Sequence, residues 1–112
     1  MAAELPLACR MDALDGAERR RYGGLFAELA SRLAGIEELP DGFAFIFPRE
    51  RPLFLTLAEW VALERRCCPF LSFELVLESR AAPVSLRLTG RPGVKEFLRR
   101  EFPEVPAGRW PA

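Results

Sequence analysis

Residues 57–78 read LAEWVALERRCCPFLSFELVLE, and the period of the hydrophobic pattern in this stretch changes at Pro69. Before the proline the apolar residues follow helical spacing, and residues 56–59 form a capping box, which together predict a helix over 57–68. Proline pushes the residue before it out of the helical region, so the helix should end there. After the proline, apolar and polar residues alternate over 71–78, which predicts a half-buried strand.

The segments on either side of this stretch predict two hairpins. Residues 84–89 alternate in the same way as residues 71–78 and are predicted to pair with them. Upstream, Ile36–Leu39 and Phe43–Phe47 flank a Pro-Asp-Gly turn signal, which predicts a second hairpin. Both faces of the Phe43–Phe47 segment are apolar, so we expect this strand to be central in its sheet.

Helices are also predicted near both ends of the chain. A capping box that starts at Asp15 precedes helical spacing from about Gly16 to Ala34. The turn at Gly90–Gly93 leads into a last short helix with its apolar residues facing inward. Residues 1–11 are predicted to be an extended lead-in. Residues 103–112, which contain three prolines, are predicted to be a loose tail, with docking of Trp110 left open.

These elements predict a single α+β domain over residues 1–112. We expect a small, mainly antiparallel sheet of three or four strands packed against three helices. After the N-terminal helix, the order strand-helix-strand-strand-helix matches the core of a ferredoxin-like split unit. A right-handed crossover would place the 43–47 strand parallel to the 71–78 strand. With 50% hydrophobic residues, the 112-residue chain can bury one modest core.

The composition excludes several classes of function. The sequence contains no histidine, which excludes catalytic triads built on histidine and zinc sites that mix Cys and His. Sixteen basic residues balance sixteen acidic ones, so no net charge attracts nucleic acid or a membrane surface. No apolar run approaches the ~20 residues of a membrane helix, and the N-terminus lacks the features of a secretory signal. Because an odd count of three cysteines is also unlike a secreted disulfide scaffold, we expect a cytoplasmic protein.

One acidic residue is predicted to lie on the inward face of the helix over 57–68. At ~100° per residue, Glu64 falls in the middle of the apolar face, one turn before Cys67 and Cys68. A carboxylate there is costly unless it is paired, protonated or bound to a metal. Three interpretations remain open: an ion pair with an arginine from another element, a ligand or proton acceptor beside the thiols, or exposure at a frayed helix end.

The three cysteines of the chain are Cys9, Cys67 and Cys68. Adjacent cysteines at a helix end have side chains ~100° apart, and a break after the helix can bring both sulfurs toward one point. Cys9 lies in the lead-in, which can drape over the helix end and supply a third thiolate. Three thiolates suit a trigonal site for a soft ion such as Hg(II), As(III) or Cu(I). Trp60 and Phe70 are predicted to line this site.

Two alternatives to metal binding remain open. Free cysteines often serve as small apolar fillers, in which case the chain would be a non-catalytic interaction or sensory module. In the second alternative, Cys67 or Cys68 is the nucleophile of a thiol redox or transferase enzyme, with Glu64 as base. We favour binding of a soft metal or metalloid ion of the Hg, As, Cu(I) or Zn class, with a role in sensing or detoxification. This interpretation assigns no catalytic residue, takes the ion as the partner, and leaves a homodimer open.

Five short segments share a pattern with known proteins: Ala8–Asp12, Glu38–Phe43, Glu64–Leu71, Leu86–Gly90 and Gly93–Leu98. Together they resemble a family of small bacterial proteins that contain a Cys-Cys-Pro-Phe motif. The resemblance covers about residues 8–98, and similar segments are appended to regulators of the mercury-responsive type. It implies that Cys9, Cys67, Cys68 and Glu64 form one motif, without identifying the ion. This sequence lacks the helix-turn-helix of those regulators, so no binding of nucleic acid by the chain itself is expected.

Overall fold

In a computed structural model that describes residues 7–111, a four-stranded antiparallel sheet packs against three α-helices. The elements are α1 (Gly16–Arg32), β1 (Gly35–Leu39), β2 (Gly42–Phe47), α2 (Arg51–Cys67), β3 (Ser72–Val76), β4 (Val84–Thr89) and α3 (Val94–Glu101). Short 3-10 turns at Met11–Ala13 and Ala107–Arg109 flank them. The predicted α+β class, with a small antiparallel sheet and three helices, is therefore confirmed.

The strands lie in the order β1-β2-β4-β3, and every neighbouring pair is antiparallel. Since β2 and β3 both pair with β4 from opposite sides, they run in the same direction, as expected for the two strands that α2 connects. The strand β1 occupies the edge beside β2, outside the strand-helix-strand-strand-helix unit. The finer assignment of a ferredoxin-like core remains a prediction.

Phenylalanines from one face of β2 form the centre of the core. Phe43, Phe45 and Phe47 lie opposite the buried apolar side chains of β4 and are themselves buried. The helices pack on this face, with Leu57 of α2 and Phe97 of α3 fully enclosed. The other face of β2 carries Ala44, which is buried, and Ile46, which is partly exposed.

The N-terminus of α1 is capped as the sequence predicts. The Asp15 side chain accepts a hydrogen bond from the Glu18 backbone N–H at 2.8 Å, and the Glu18 carboxylate accepts one from the Asp15 N–H at 3.0 Å. Two donors that the helix leaves unpaired are therefore satisfied. The helix ends at Arg32, two residues before the predicted end at Ala34.

The helix α2 begins earlier than its sequence pattern predicts. It starts at Arg51 and takes in Pro52, whereas the prediction placed the start near Leu57, after a capping box at Thr56. Proline is tolerated in a first helical turn because the N–H that it lacks would have no partner there. The Thr56 hydroxyl does not cap a helix; it donates to the Pro52 carbonyl oxygen, one turn back, at 3.0 Å.

The segment after α3 packs on the domain where a loose tail was predicted. Val105 is buried, and the Trp110 ring meets the Phe43 ring edge-on at a centroid distance of 5.0 Å. Arg109 donates to the carbonyl oxygen of Leu33 at 2.6 Å, which ties this segment to the end of α1. The prediction of a loose tail over residues 103–112 therefore does not hold for the part up to Pro111, because the side chains of Val105 and Trp110 pack on the core.

Within residues 7–111, none of the helices combines the length and the apolar character that crossing a bilayer demands.

Two glycines should respond to alanine in opposite ways. A Cβ at Gly42 would lie 1.9 Å from the backbone oxygen of Leu88, because β2 and β4 approach closely there. We expect Gly42→Ala to lower the free energy of unfolding by about 1–3 kcal/mol. At Gly23, inside α1, an added Cβ would meet no described neighbour within 4 Å. Gly23→Ala should therefore stabilise the protein by about 0.5–1 kcal/mol.

Urea denaturation of the two variants beside the unchanged protein measures both shifts. A loss of stability in Gly23→Ala would contradict the open surroundings of that position. An unchanged midpoint in Gly42→Ala would contradict the close approach of the two strands.

Candidate metal centre

The C-terminal end of α2 carries the buried carboxylate and the adjacent cysteines. Glu64 and Cys67 lie in the last turn, and Cys68 leaves the helix with φ −124° and ψ 71°. The Cys68 N–H still donates to the Glu64 carbonyl oxygen at 2.8 Å, so the helix is closed before Pro69 interrupts it. Residues four apart share one helix face, which places the Cys68 side chain over that of Glu64.

The lead-in crosses this helix end and brings in the third cysteine. The Arg10 backbone N–H donates to the Cys67 carbonyl oxygen at 2.8 Å, one of the carbonyls that the helix leaves free. Cys9, the preceding residue, is thereby held against the end of α2 and is half-buried. The predicted draping of the lead-in over the helix end is confirmed for residues 9 and 10, while residues 1–6 of the predicted lead-in lie outside the described residues.

Three side chains from these two segments converge. The Cys9 Sγ, the Cys68 Sγ and a carboxylate oxygen of Glu64 all lie within 4.8 Å of one another. Cys67, which was predicted as a ligand with Cys9 and Cys68, is not a member of this group, although its thiol hydrogen-bonds to Cys9. Glu64, which was predicted to lie beside the thiols, supplies the third ligand atom of the group. We refer to Cys9, Cys68 and Glu64 as the donor group.

The partner of the Glu64 carboxylate is a tyrosine from α1. Tyr22 Oη donates to Glu64 Oε1 at 2.8 Å, and only 1% of the Glu64 residue surface is exposed. The interpretation of an arginine ion pair is wrong, because no arginine within residues 7–111 pairs with this carboxylate. The neighbouring Arg66 points away from the core and donates to the Ala13 carbonyl oxygen at 2.8 Å instead.

Burial and hydrogen bonds set the protonation of the carboxylate. Burial raises the pKa of Glu64 to about 7, and the negative charge of Glu101 adds to this rise. The hydrogen bonds from Tyr22 and Cys68 act in the opposite direction and keep the pKa from rising further. Near neutral pH the carboxyl group is therefore present in both its protonated and its ionised form.

The three thiols differ in how easily they ionise. Burial raises the pKa of Cys67 to about 12. The hydrogen bond with Cys9, followed by burial, raises the pKa of Cys68 well above its usual value, while the same hydrogen bond lowers the pKa of Cys9. Cys9 is thus the first of the three to become a thiolate, and it is also the most exposed.

The two predicted lining residues lie in different surroundings. Trp60, one turn before Glu64, is buried and stacks near the Tyr22 ring at a centroid distance of 6.1 Å. Its indole N–H has no partner among the described residues. Phe70 meets the Phe97 ring of α3 edge-on at 4.8 Å. Trp60 therefore supports the tyrosine that holds the carboxylate, whereas Phe70 anchors the segment after α2 to α3.

Tyr22 is the site residue that sequence reasoning missed. Its position in the helical spacing of α1 indicates a residue that faces the core, and its ring is partly buried and packs against the core. The only available signal was its hydroxyl group, since a buried phenol oxygen needs a hydrogen-bond partner. The sequence does not show that this partner lies 42 positions further on, in another helix.

The chain matches no protein-family model, no curated protein and no solved structure. The chemistry of the donor group therefore rests on its atoms. Two sulfurs and one carboxylate oxygen suit an ion of borderline softness such as Zn(II), which accepts both kinds of ligand. Three protein ligands also leave the fourth position of a tetrahedral ion open.

The raised pKa of Glu64 predicts a pH dependence of stability. The folded state binds the proton more tightly than the unfolded chain, whose carboxyl has a pKa of about 4.5. The free energy of unfolding should therefore fall as the pH rises from about 4.5 to about 7, by up to ~3 kcal/mol from this group. Glu64→Gln keeps the acceptor for Tyr22 without a titrating proton, so the variant should lack this fall.

Urea denaturation of the metal-free Glu64→Gln variant and of the metal-free unchanged protein, across this pH range, gives the difference in their free energies of unfolding. The control is Glu59→Gln on the same helix. A hydrogen bond from Arg21 lowers the pKa of the exposed Glu59 carboxylate, so this group makes the free energy of unfolding rise with pH instead of fall. A stability difference between Glu64→Gln and the unchanged protein that stays constant with pH would contradict the buried, titrating carboxyl.

Proposed function

We propose that the protein binds one soft or borderline metal ion through Cys9, Cys68 and Glu64. The observation that carries this proposal is the convergence of their three ligand atoms within 4.8 Å of one another. The three residues come from two segments that are far apart in the chain, and a backbone hydrogen bond between those segments holds them together. An ion bound at this point would join the lead-in to the end of α2.

Charge supports a cation at this point. When ionised, two thiols and one carboxyl carry three negative charges, and two of the three side chains are almost completely buried. Isolated buried charges are costly, so without an ion the group retains protons. A dication replaces those protons and neutralises most of the charge. Binding should therefore release protons, and affinity should rise with pH.

The hydrogen bond from Tyr22 supports the same function. Ligating carboxylates in metal sites are usually held by further hydrogen bonds, which orient them toward the ion. Tyr22 holds Glu64 in this way at 2.8 Å, and the stacked Trp60 ring limits the movement of the tyrosine. The carboxylate consequently loses little freedom when it binds.

The donor group favours two ions from the soft and borderline class. Zn(II) would use both sulfurs and the carboxylate, with one position left for water or another ligand. Hg(II) would use the two sulfurs, with the carboxylate as a weaker third contact. The resemblance to the Cys-Cys-Pro-Phe family favours a thiophilic ion, and we extend the proposal to sensing or detoxification in the cytoplasm, where thiols stay reduced.

Titration of the reduced protein tests this function. Zn(II) is added in competition with a chromophoric chelator, and Hg(II) in a separate series. We expect one ion per chain, release of protons in weak buffer, and a rise in the thermal midpoint that grows with the concentration of free ion. Absence of stoichiometric binding of both ions would contradict the proposal.

A second candidate function follows from the packing of the adjacent cysteines. Cys67 and Cys68 both belong to the hydrophobic core, as they would in an interaction module with structural thiols. In that case Cys68→Val should change stability alone, since valine fills a similar volume without a ligand atom. The same titration of this variant distinguishes the two functions, because metal binding requires the sulfur.

A further inference from the structure

The two cysteines of the donor group differ in how far they are exposed to solvent. Cys9 is half-buried on the lead-in, whereas Cys68 is 1% exposed beneath it. Their sulfur atoms lie within 4.8 Å of each other. An oxidant in solution therefore meets Cys9 first, with a second thiol already next to it. This arrangement of an accessible thiol beside a buried one is what a disulfide-forming pair requires.

We propose that Cys9 and Cys68 form a peroxide-responsive pair. Hydrogen peroxide oxidises Cys9, and the Cys68 thiol then forms a disulfide with it, which empties the metal site. Closure of the disulfide depends on the two thiols alone. Release of the ion rests on the proposed function, because it requires that these thiols hold an ion.

The reaction balances in two steps. The Cys9 sulfur attacks one oxygen of hydrogen peroxide and the O–O bond breaks, so that Cys9 becomes a sulfenic acid and one water leaves. The Cys68 sulfur then attacks the Cys9 sulfur and the S–O bond breaks, and the hydroxyl leaves as a second water with the thiol proton. Two thiols lose two electrons in total, and one peroxide becomes two waters. A low-molecular-weight thiol would reverse the disulfide by exchange.

The geometry favours Cys68 over Cys67 as the second thiol. A disulfide needs a sulfur separation of ~2.05 Å, so sulfurs within 4.8 Å must approach by less than about 3 Å. Cys68 has left the helix, and its backbone can adjust to that approach. The Cys67 thiol also hydrogen-bonds to Cys9, but Cys67 is held in the last turn of α2, where its backbone has less freedom to adjust.

Oxidation would act directly on metal binding. The Cys9–Cys68 disulfide removes two of the three ligands of the donor group and leaves Glu64 as the only one. A single carboxylate does not hold a soft ion against competing thiols. The ion should therefore leave when the disulfide forms and bind again after reduction.

The disulfide is tested on metal-free protein in the presence of a chelator. After treatment with hydrogen peroxide, the protein is denatured, alkylated and digested with trypsin. We expect the peptide that contains Cys9 to be linked to the peptide that begins at Cys67, with fragmentation placing the bridge on Cys68 and the alkyl group on Cys67. A bridge on Cys67, or Cys9 oxidised without any bridge, would overturn the inference.

Two variants check this assignment independently. Cys67→Ser is the matched control and should retain the linked peptides. Cys68→Ser should lose them, and its Cys9 sulfenic acid should be trapped by a cyclic diketone reagent. Linked peptides that persist in Cys68→Ser would contradict the assignment, and fragmentation of the unchanged protein decides it even where a variant fails to fold.

A final measurement separates this inference from the proposed function. Zinc-loaded protein is treated with hydrogen peroxide, and released Zn(II) is followed with a chromophoric chelator. We expect release of one ion per chain in parallel with disulfide formation, and its reversal by a reducing thiol. A peroxide-induced disulfide in a protein that binds neither Zn(II) nor Hg(II) in the titration would overturn the metal function alone. Zinc binding without a peroxide-induced disulfide would overturn this inference alone.

Discussion

Replacing Cys68 with alanine should lower the affinity of the protein for Zn(II) by at least about 100-fold, whereas Cys67→Ala should leave it largely unchanged. The two residues are adjacent and both buried, yet only Cys68 has its sulfur in the donor group. Loss of a residue that merely supports a ligand typically costs 10–100-fold in metal affinity, so loss of a ligand should cost at least as much. Competition with a chromophoric chelator measures both affinities.

The comparison of the two variants decides between two arrangements of ligands. Cys67→Ala is the control for the removal of a buried thiol, because it leaves a similar space at the end of the same helix. Equal losses in both variants would instead support the site of three sulfurs that the sequence predicts. Unchanged affinity in Cys68→Ala would contradict the donor group.

Replacing Leu57 with alanine should lower the free energy of unfolding by about 2–5 kcal/mol, the largest effect on stability that we expect. Leu57 lies in the middle of α2 and is 0% exposed, so its removal leaves a cavity between the helix and the sheet. Leu55 is the matched control, because it lies on the same helix and is 54% exposed. Leu55→Ala should change stability by less than about 0.5 kcal/mol.

Urea denaturation at one pH measures both leucine variants. Because leucine and alanine differ little in helix propensity, the difference between the two variants reports burial rather than helix formation. A similar small effect at both positions would contradict the packing of α2 on the sheet, and with it the position of the helix end that carries the donor group.

Local patterns predict most of the secondary structure. Apolar and polar residues alternate over 84–89 and predict a strand that the structure contains, because a strand with one buried face alternates in this way. The turn signal after Leu39 likewise predicts the hairpin of β1 and β2. The capping box at Asp15 is likewise a contact between residues three positions apart. The start of α2 was predicted wrongly because Pro52 signals a loop as well as a first helical turn, and local sequence does not distinguish the two.

Local sequence patterns predict only part of the candidate site. Helical spacing places Glu64 and Cys68 on one face, since they lie four positions apart at the end of the helix predicted over 57–68. Helical spacing does not decide which of the two adjacent thiols joins Cys9 and Glu64 in the donor group, because that depends on how the chain leaves the helix after residue 67. It also does not identify Tyr22, which comes from another helix.

The amino-acid sequence is enough to predict an α+β domain and, because it contains no histidine, to limit special chemistry to thiols, carboxylates and arginines. Periodicity and capping act over a few residues, and the sequence displays them directly. The folded structure is needed to see that Cys9 and Cys68, rather than all three cysteines, converge with Glu64, and that Tyr22 holds the carboxylate. The physical reason is that side chains from distant segments meet through packing and through single backbone contacts, such as the one from Arg10 to Cys67, which no local pattern records.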